Sequence, residues 1–191
     1  MIALTVFALL IGAGYFFYQR SKAPEAPPKA DLSDDTIKRE WRKLGFFCEL
    51  DEQKKLWTLV GSRAGLLYFP DLLLGYVIDP TKAEDGANEH YGPYGSLQVM
   101  TWTDPGFSAH AIRGSLTDLA RLADIVGAKL ASAQPGEPIR IREEYAPDSP
   151  FSLLLDVRVD GFDPASADGE RLGAVKTANP GKTTNPAAPS A

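Results

Sequence analysis

The sequence predicts an α+β domain over residues 31–169, with a mainly antiparallel sheet packed against one long helix at about 116–131. Three observations predict this class. Apolar residues recur at helical spacing in two segments, and short apolar runs between turn residues are typical of strands elsewhere. About 140 residues are also enough to bury one core.

A short N-terminal helix is predicted to begin at Ser33, an N-cap residue followed by two acidic residues that suit the positive end of the helix dipole. Leu32 is placed to contact the first apolar residue of the helix as a hydrophobic staple. Gly45 is expected to end the helix. The buried face is predicted to contain Ile37, Trp41 and Leu44.

Apolar runs after this helix predict a first pair of strands. Residues 46–50 and 56–60 are expected to be joined by the polar turn at 51–54. A second helix over residues 52–60 is the alternative.

Two further runs, 66–69 and 72–78, are apolar enough to be central strands. Pro70 separates them, because proline is poorly tolerated inside a strand ladder. Residues 79–95 then form the longest predicted loop. Long loops in compact domains are often functional, so this segment is of interest for binding.

A hairpin is predicted from residues 96–103 and 107–113, with Asp104-Pro105-Gly106 as its turn. Ser115 and Asp118 are spaced as a capping box at the start of the long helix. Strands are predicted again at 139–143 and 152–159. The buried face of the long helix is predicted to contain Leu116, Leu119, Leu122, Val126 and Leu130.

Residues 2–18 form an uncharged apolar run, so we predict a single transmembrane anchor over residues 1–20. A cleavable signal peptide fits less well because no Lys or Arg precedes the run and aromatic residues close it. Arg20, Lys22 and Lys29 follow, and this charge bias predicts that the C-terminal domain is cytoplasmic, with a periplasmic domain as the alternative.

Residues 21–30 contain three prolines and are predicted to be a short, semi-rigid linker. Ten residues of extended chain hold the next domain within roughly 31 Å of the bilayer. The segment 170–191 is rich in Ala, Thr, Asn, Gly and Pro, and we predict a disordered tail there.

The domain over 31–169 contains 14 Lys and Arg residues and 23 Asp and Glu residues, a net charge of −9. An acidic domain repels phosphate backbones, so nucleic acid is not expected as a partner. A protein partner that is basic suits this charge better. The single Cys48 excludes an intramolecular disulfide and is expected to be buried.

Polar residues with catalytic potential are few. The chain has only His90 and His110, neither of which lies in a nucleophile motif. The carboxylates of residues 160–170 do not follow the spacing of an EF-hand, and residues 61–65 lack the Lys of a phosphate-binding loop. No metal and no cofactor is therefore predicted, and we expect a protein that is not an enzyme.

Aromatic and acidic residues in the predicted loops remain as candidates for partner binding. Tyrosine and tryptophan bury a large area with little loss of rotamer freedom, which makes them common at interfaces. The alternative for Trp102 and Phe162 is that each is a core residue, and only their joint exposure would indicate a binding surface. The candidate surface consists of Tyr91, Tyr94, Trp102, Asp104, Phe107, Phe162 and Asp163.

In layout, the acidic α+β module at residues 31–169 resembles the small immunity proteins that protect bacteria from secreted toxins. That resemblance implies a bacterial inner-membrane protein whose acidic surface covers a basic or catalytic face of a toxin. The anchor, linker and domain also resemble division proteins of the ZipA type, which implies an envelope scaffold, although the linker here is far shorter. A hydrolase that uses His90 or His110 is the third hypothesis.

Overall fold

The computed structural model describes residues 33–168, which form an α+β domain with two sheets. Its complete helices are α1 (Asp34–Leu44), α2 (Arg63–Leu66), α3 (Tyr68–Ile78) and α4 (Leu116–Ser132), and residues 164–168 are also helical. Its strands are β1 (Phe47–Asp51), β2 (Leu56–Ser62), β3 (Asn88–Tyr91), β4 (Leu97–Thr101), β5 (Gly106–Phe107), β6 (Ile112–Gly114), β7 (Pro138–Ile141) and β8 (Ser152–Arg158). Single 3₁₀ turns lie at Pro80–Lys82 and Pro93–Gly95.

Both sheets are mixed and have four strands. The first has the order β1-β2-β8-β7 and the second β3-β4-β6-β5. In each sheet the two central strands are parallel, and the two outer pairings are antiparallel. The sequence predicted one mainly antiparallel sheet; the division into two sheets with parallel centres depends on long-range pairing that local patterns do not encode.

The predicted central strands at 66–69 and 72–78 are wrong, because this segment forms α2 and α3. Periodicity cannot distinguish a short buried helix from a buried strand when nearly every residue is apolar. Pro70 lies in the first turn of α3, where a helix does not need the missing N–H group. Leu67 joins the two helices with helical dihedral angles.

The predicted hairpin over residues 96–113 is also wrong. The two segments do provide strands, but β4 pairs in parallel with β6 and antiparallel with β3. The strand β3 lies within residues 79–95, which were predicted to be a loop, because its polar sequence Asn-Glu-His-Tyr carries no apolar alternation. The strand β3 forms by antiparallel backbone pairing with β4 at the edge of the second sheet.

Several predictions are confirmed. Gly45 ends α1 in the left-handed conformation, with φ of 87°, and Trp41 is buried on its inner face. Strands β1 and β2 pair across the polar turn, which excludes the alternative helix there. The capping box at Ser115 and Asp118 is present at the start of α4. Cys48 is buried, and burial raises the pKa of its thiol.

The connection between β7 and β8 links the two sheets. The Tyr145 hydroxyl donates to the Arg113 carbonyl on β6 at 2.6 Å. The Ser149 hydroxyl accepts from the Phe107 amide at 2.8 Å and donates to the Phe107 carbonyl at 2.7 Å. Because all three bonds join a loop of one sheet to strands of the other, the packing of both sheets depends on this segment.

Candidate functional site

The most unusual surface in residues 33–168 is an apolar face of α2 and α3 that points into solvent. Leu67, Tyr68, Leu74 and Ile78 are 39%, 58%, 43% and 80% exposed. We call these four residues the α3 stripe. A helical rise of 1.5 Å per residue makes the stripe about 16 Å long. Contiguous exposed apolar side chains on a folded domain commonly mark a contact surface.

Core packing on the opposite side of α3 fixes which residues form the stripe. Phe69, Leu73 and Tyr76 are buried, and α3 packs against α4. The Tyr76 hydroxyl donates to the Ala87 carbonyl at 2.6 Å and accepts from the Thr101 amide at 3.0 Å. These contacts prevent rotation of the helix about its axis, so the stripe cannot turn inward without breaking them.

The N-terminal end of α3 is fixed against α1. The Ser62 hydroxyl caps α2 by accepting from the Gly65 amide at 3.1 Å. Gly65 packs against the Gly45 carbonyl so closely that no side chain could be accommodated there. The Tyr68 ring lies over Gly45. Tyr68 therefore lies beside the end of α1 while more than half of its side chain remains accessible.

One carboxylate lies within the stripe. Asp71 is exposed and follows Leu67 by four residues, so both lie on the same side of the helix. Among the described residues Asp71 makes no ion pair. The sequence of α3 contains no Lys or Arg. Arg63, which is also exposed, precedes Leu67 by four residues, so a positive charge lies beyond the N-terminal end of the stripe and Asp71 is the charge within it.

Of the residues that the sequence indicated for partner binding, Phe107 does not lie on the surface. It is 1% exposed because β5 places it against the core and the Tyr145 ring. Tyr91 is half-buried, and burial raises its pKa. Tyr94 is exposed and adopts a positive φ of 58°.

The other predicted residues fall into separate places. Trp102 is partly exposed and lies 5.8 Å from the Arg113 guanidinium, and Asp104 is exposed in the turn before β5. Tyr91 pairs with Leu97 at the start of β4, so about 16 Å of strand separates it from Trp102. Residues 91–104 therefore do not form one cluster.

Phe162 and Asp163 lie after β8, near α1. Asp163 accepts three hydrogen bonds from Arg42, with Nη2 to Oδ2 at 2.7 Å and Nε to both Oδ1 and Oδ2 at 3.1 Å. The bonds from Arg42 lower the pKa of Asp163. Phe162 lies beneath the Arg158 guanidinium, 5.7 Å from it. Asp163 therefore has a structural partner already, whereas Asp71 has none in the described range.

The two histidines lie in different surroundings. The His90 ring on β3 faces the Gly95 carbonyl at 3.5 Å, and His110 is exposed between β5 and β6. Between residues 33 and 168 neither ring makes a hydrogen bond to a carboxylate, and no group of three potential metal ligands occurs. A hydrolytic centre would need such converging groups.

A cleft of about 300 Å³ lies between the end of α4 and β7. Its lining carries both signs of charge, and Lys129 is already bonded to Glu144 at 2.6 Å. The lining residues are Lys129, Ser132, Ala133, Glu137, Pro138, Ile139 and Arg140. The α3 stripe is therefore the better candidate for a functional surface.

No family model, curated protein or solved structure matches the chain. None of the helices between residues 33 and 168 has the length and hydrophobicity of a membrane span. The predicted anchor at residues 1–20, the linker at 21–30 and the tail at 170–191 lie outside the described residues, as does Leu32.

Sequence patterns do not predict the α3 stripe, because the apolar runs at 66–69 and 72–78 favour buried strands for Leu67, Leu74 and Ile78. A usable signal was present. Ser62 followed by Arg-Ala-Gly fits a helix cap, and a proline eight residues later suits the first turn of a second helix. With a helix assigned, the single charge at Asp71 marks the side that faces solvent.

Proposed function

We propose that this protein is a membrane-anchored binding protein that acts by contact with another protein and not by catalysis. The observation that carries the proposal is the α3 stripe. An exposed apolar face on a helix that is otherwise firmly packed is unfavourable in water and becomes favourable when a partner covers it. The acidic surface of the domain adds a preference for partners of opposite charge.

The anchor is proposed on sequence grounds. The apolar run at 2–18 and the short linker at 21–30 would hold the domain close to the inner membrane, on its cytoplasmic side. A reporter fused to the C-terminus that is active only in the cytoplasm tests the orientation. Activity of a periplasmic reporter at the same position would overturn it.

Within this class we favour an immunity protein that neutralises a toxin, because its compact acidic module resembles such proteins. An envelope scaffold is the alternative, since the order of anchor, linker and domain resembles the ZipA type. A hydrolase using His90 or His110 is third. A toxin gene beside the gene for this protein would favour immunity, whereas division or secretion genes would favour a scaffold.

The function is tested by affinity purification of the full-length protein from detergent-solubilised membranes, followed by mass spectrometry. We expect one protein to be recovered with the wild type and lost with Leu74→Lys. The matched control is Val159→Lys, because Val159 is 65% exposed but lies outside the stripe. Loss of the partner with both variants would contradict a role for the stripe, and turnover of a small molecule would contradict the binding function.

The acidic residues predicted from the sequence provide a second test. Asp104 and Asp163 are replaced together by alanine, and affinity for the recovered partner is measured. Weaker binding would support a contact surface at residues 91–104 and 162–163. Unchanged binding would remove these residues from the contact surface and leave the stripe as the proposed site.

A further inference from the structure

We infer that the α3 stripe binds an apolar groove on a basic partner protein, with a Lys or Arg of that partner facing Asp71. This inference rests on the proposed binding function and specifies the chemistry of the partner. The occupant of the stripe must cover four apolar side chains and one carboxylate together. The possible occupants are the bilayer, a second copy of the chain, the chain's own terminal segments and another protein.

The bilayer does not suit the stripe. Helices that lie on membranes carry Lys and Arg along their polar side, whereas α3 carries neither. Insertion of the stripe would also bring Asp71 toward the hydrocarbon, which is unfavourable for a carboxylate. The net charge of −9 over residues 31–169 adds repulsion from anionic lipid headgroups.

A second copy does not suit it either. Two stripes related by a two-fold axis would cross near their midpoint, between residues 72 and 73. Asp71 lies about one and a half residues from that point, so the two carboxylates would be separated by only about 4.5 Å along the helix axes. Packed helix axes lie about 8–10 Å apart, so the two carboxylates would face each other across the contact, and like charges in a desolvated contact oppose association.

The terminal segments of the chain also lack the required chemistry. The apolar run at 2–18 is proposed to lie in the bilayer, and the linker at 21–30 that follows it has Lys22 and Lys29 but no large aliphatic or aromatic side chain to cover the stripe. Residues 169–191 contain basic residues, but Leu172 and Val175 are their only large aliphatic side chains. Two such side chains are too few to cover the four residues of the stripe.

A helix face bound in a groove of another protein satisfies both requirements. Helix-in-groove recognition uses anchors spaced by three, four and seven residues, and Leu67, Leu74 and Ile78 have this spacing. A cation of the partner opposite Asp71 would then be enclosed by apolar contacts, where an ion pair is screened less by water. Complementary charge also fixes the register of the helix in the groove.

The test uses the full-length protein in the cells that naturally contain it, with the photo-crosslinker p-benzoylphenylalanine at position 74. We expect an adduct with a segment of another protein that contains Lys or Arg among apolar residues. The adduct should disappear with Asp71→Lys and persist with Asp124→Lys, because Asp124 is equally exposed but lies on α4.

Reversal of the charge at position 71 tests whether a cation of the partner faces Asp71. When the cross-linked partner has been purified, Asp71→Lys should weaken its binding by about thirtyfold or more. Replacing the partner's contacted Lys or Arg with Glu should restore binding to the Asp71→Lys variant. Circular dichroism must show that Asp71→Lys remains folded, and Asp71→Asn serves as a milder variant because it removes the charge without reversing it. Binding unaffected by either variant would overturn the inference.

The remaining outcomes are also decisive. An adduct with a second copy, with residues 1–32 or 169–191, or with lipid would overturn the inference. Attachment at position 74 in vesicles of phosphatidylethanolamine and phosphatidylglycerol alone would assign the stripe to the bilayer. An adduct at position 102 but none at 74 would refute this inference and leave the proposed binding function intact, whereas no adduct at either position would count against both.

Discussion

The carbonyl oxygen of Gly45 occupies the space in which a side chain of Gly65 would lie. This contact joins the end of α1 to the start of α2 and α3, and it places the Tyr68 ring over Gly45. Glycine is required at position 65 because the neighbouring group is backbone, which cannot move aside as a flexible side chain can. The position of the α3 stripe therefore depends on two glycines in contact at its N-terminal end, of which Gly65 is buried and Gly45 is partly exposed.

Gly65→Ala is expected to destabilise the domain by about 2–4 kcal/mol, because the added methyl group overlaps the Gly45 carbonyl. Gly127→Ala is the control. Gly127 lies within α4 with open space around it, so alanine should raise the free energy of unfolding by up to about 1 kcal/mol. Urea unfolding of the detergent-solubilised protein, followed by the fluorescence of the buried Trp41 and Trp57, measures both. Similar changes for the two variants would show that the close contact is unimportant.

Adjacent leucines on α3 should respond differently to truncation. Leu73→Ala removes a fully buried side chain and is expected to cost about 2–5 kcal/mol. Leu74→Ala removes a side chain of the stripe and should change the free energy of unfolding by less than about 0.5 kcal/mol. Partner binding should show the opposite order. Leu74→Ala should weaken binding more than Leu73→Ala does, when the latter is measured on folded protein. A large loss of stability with Leu74→Ala would indicate that the stripe is covered by the chain itself.

The Tyr145 hydroxyl should make stability depend on alkaline pH. Burial raises the pKa of Tyr145 above its ordinary value, so the folded domain holds this phenol in its neutral form. The stabilisation is fully present below about pH 10, where the unfolded phenol ionises, and is lost as the pH rises toward the folded value.

Tyr145→Phe removes the hydrogen bond to Arg113 and should cost about 1–2 kcal/mol near pH 7. The difference from the wild type should shrink as the pH rises above about 10. Tyr94→Phe serves as the control, because that tyrosine is exposed and should contribute little near pH 7. A difference that stays constant with pH would argue against a raised pKa at Tyr145.

Asp118 should make the capping of α4 sensitive to acid. Burial alone would raise its pKa, but hydrogen bonds from Ser115 and Arg121 outweigh this effect and lower the pKa below its ordinary value. Because the folded pKa is lowered, the stabilisation is present above about pH 4 and is lost as the pH falls through the folded value.

Asp118→Ala should therefore cost about 1 kcal/mol near pH 7, and the difference from the wild type should disappear near about pH 2. The control is Asp124→Ala on the exposed side of the same helix, for which we expect little change. Urea titrations at several pH values measure both. A loss with Asp118→Ala that persists in acid would assign the effect to packing and not to charge.

Local sequence patterns were sufficient to predict the structure of a segment where one strong feature, such as a glycine or a cap, was present. The left-handed glycine at residue 45, the capping box at Ser115 and the polar turn between β1 and β2 were all predicted correctly. The sequence failed at residues 66–78, where a continuous apolar run fits a helix and a strand equally well. The candidate binding surface failed in part for a different reason, since Phe107 was predicted near the tip of a hairpin that does not form and lies in the core.

Composition and local patterns are enough to predict an apolar N-terminal run, an acidic domain of one core, a capped long helix and a single buried cysteine. Which apolar residues remain outside that core depends on long-range packing. Whether Leu73 or Leu74 faces solvent depends on the rotation of α3, and the Tyr76 hydrogen bonds to Ala87 and Thr101 fix that rotation. Those partners lie 11 and 25 residues away along the chain, beyond the reach of any local pattern.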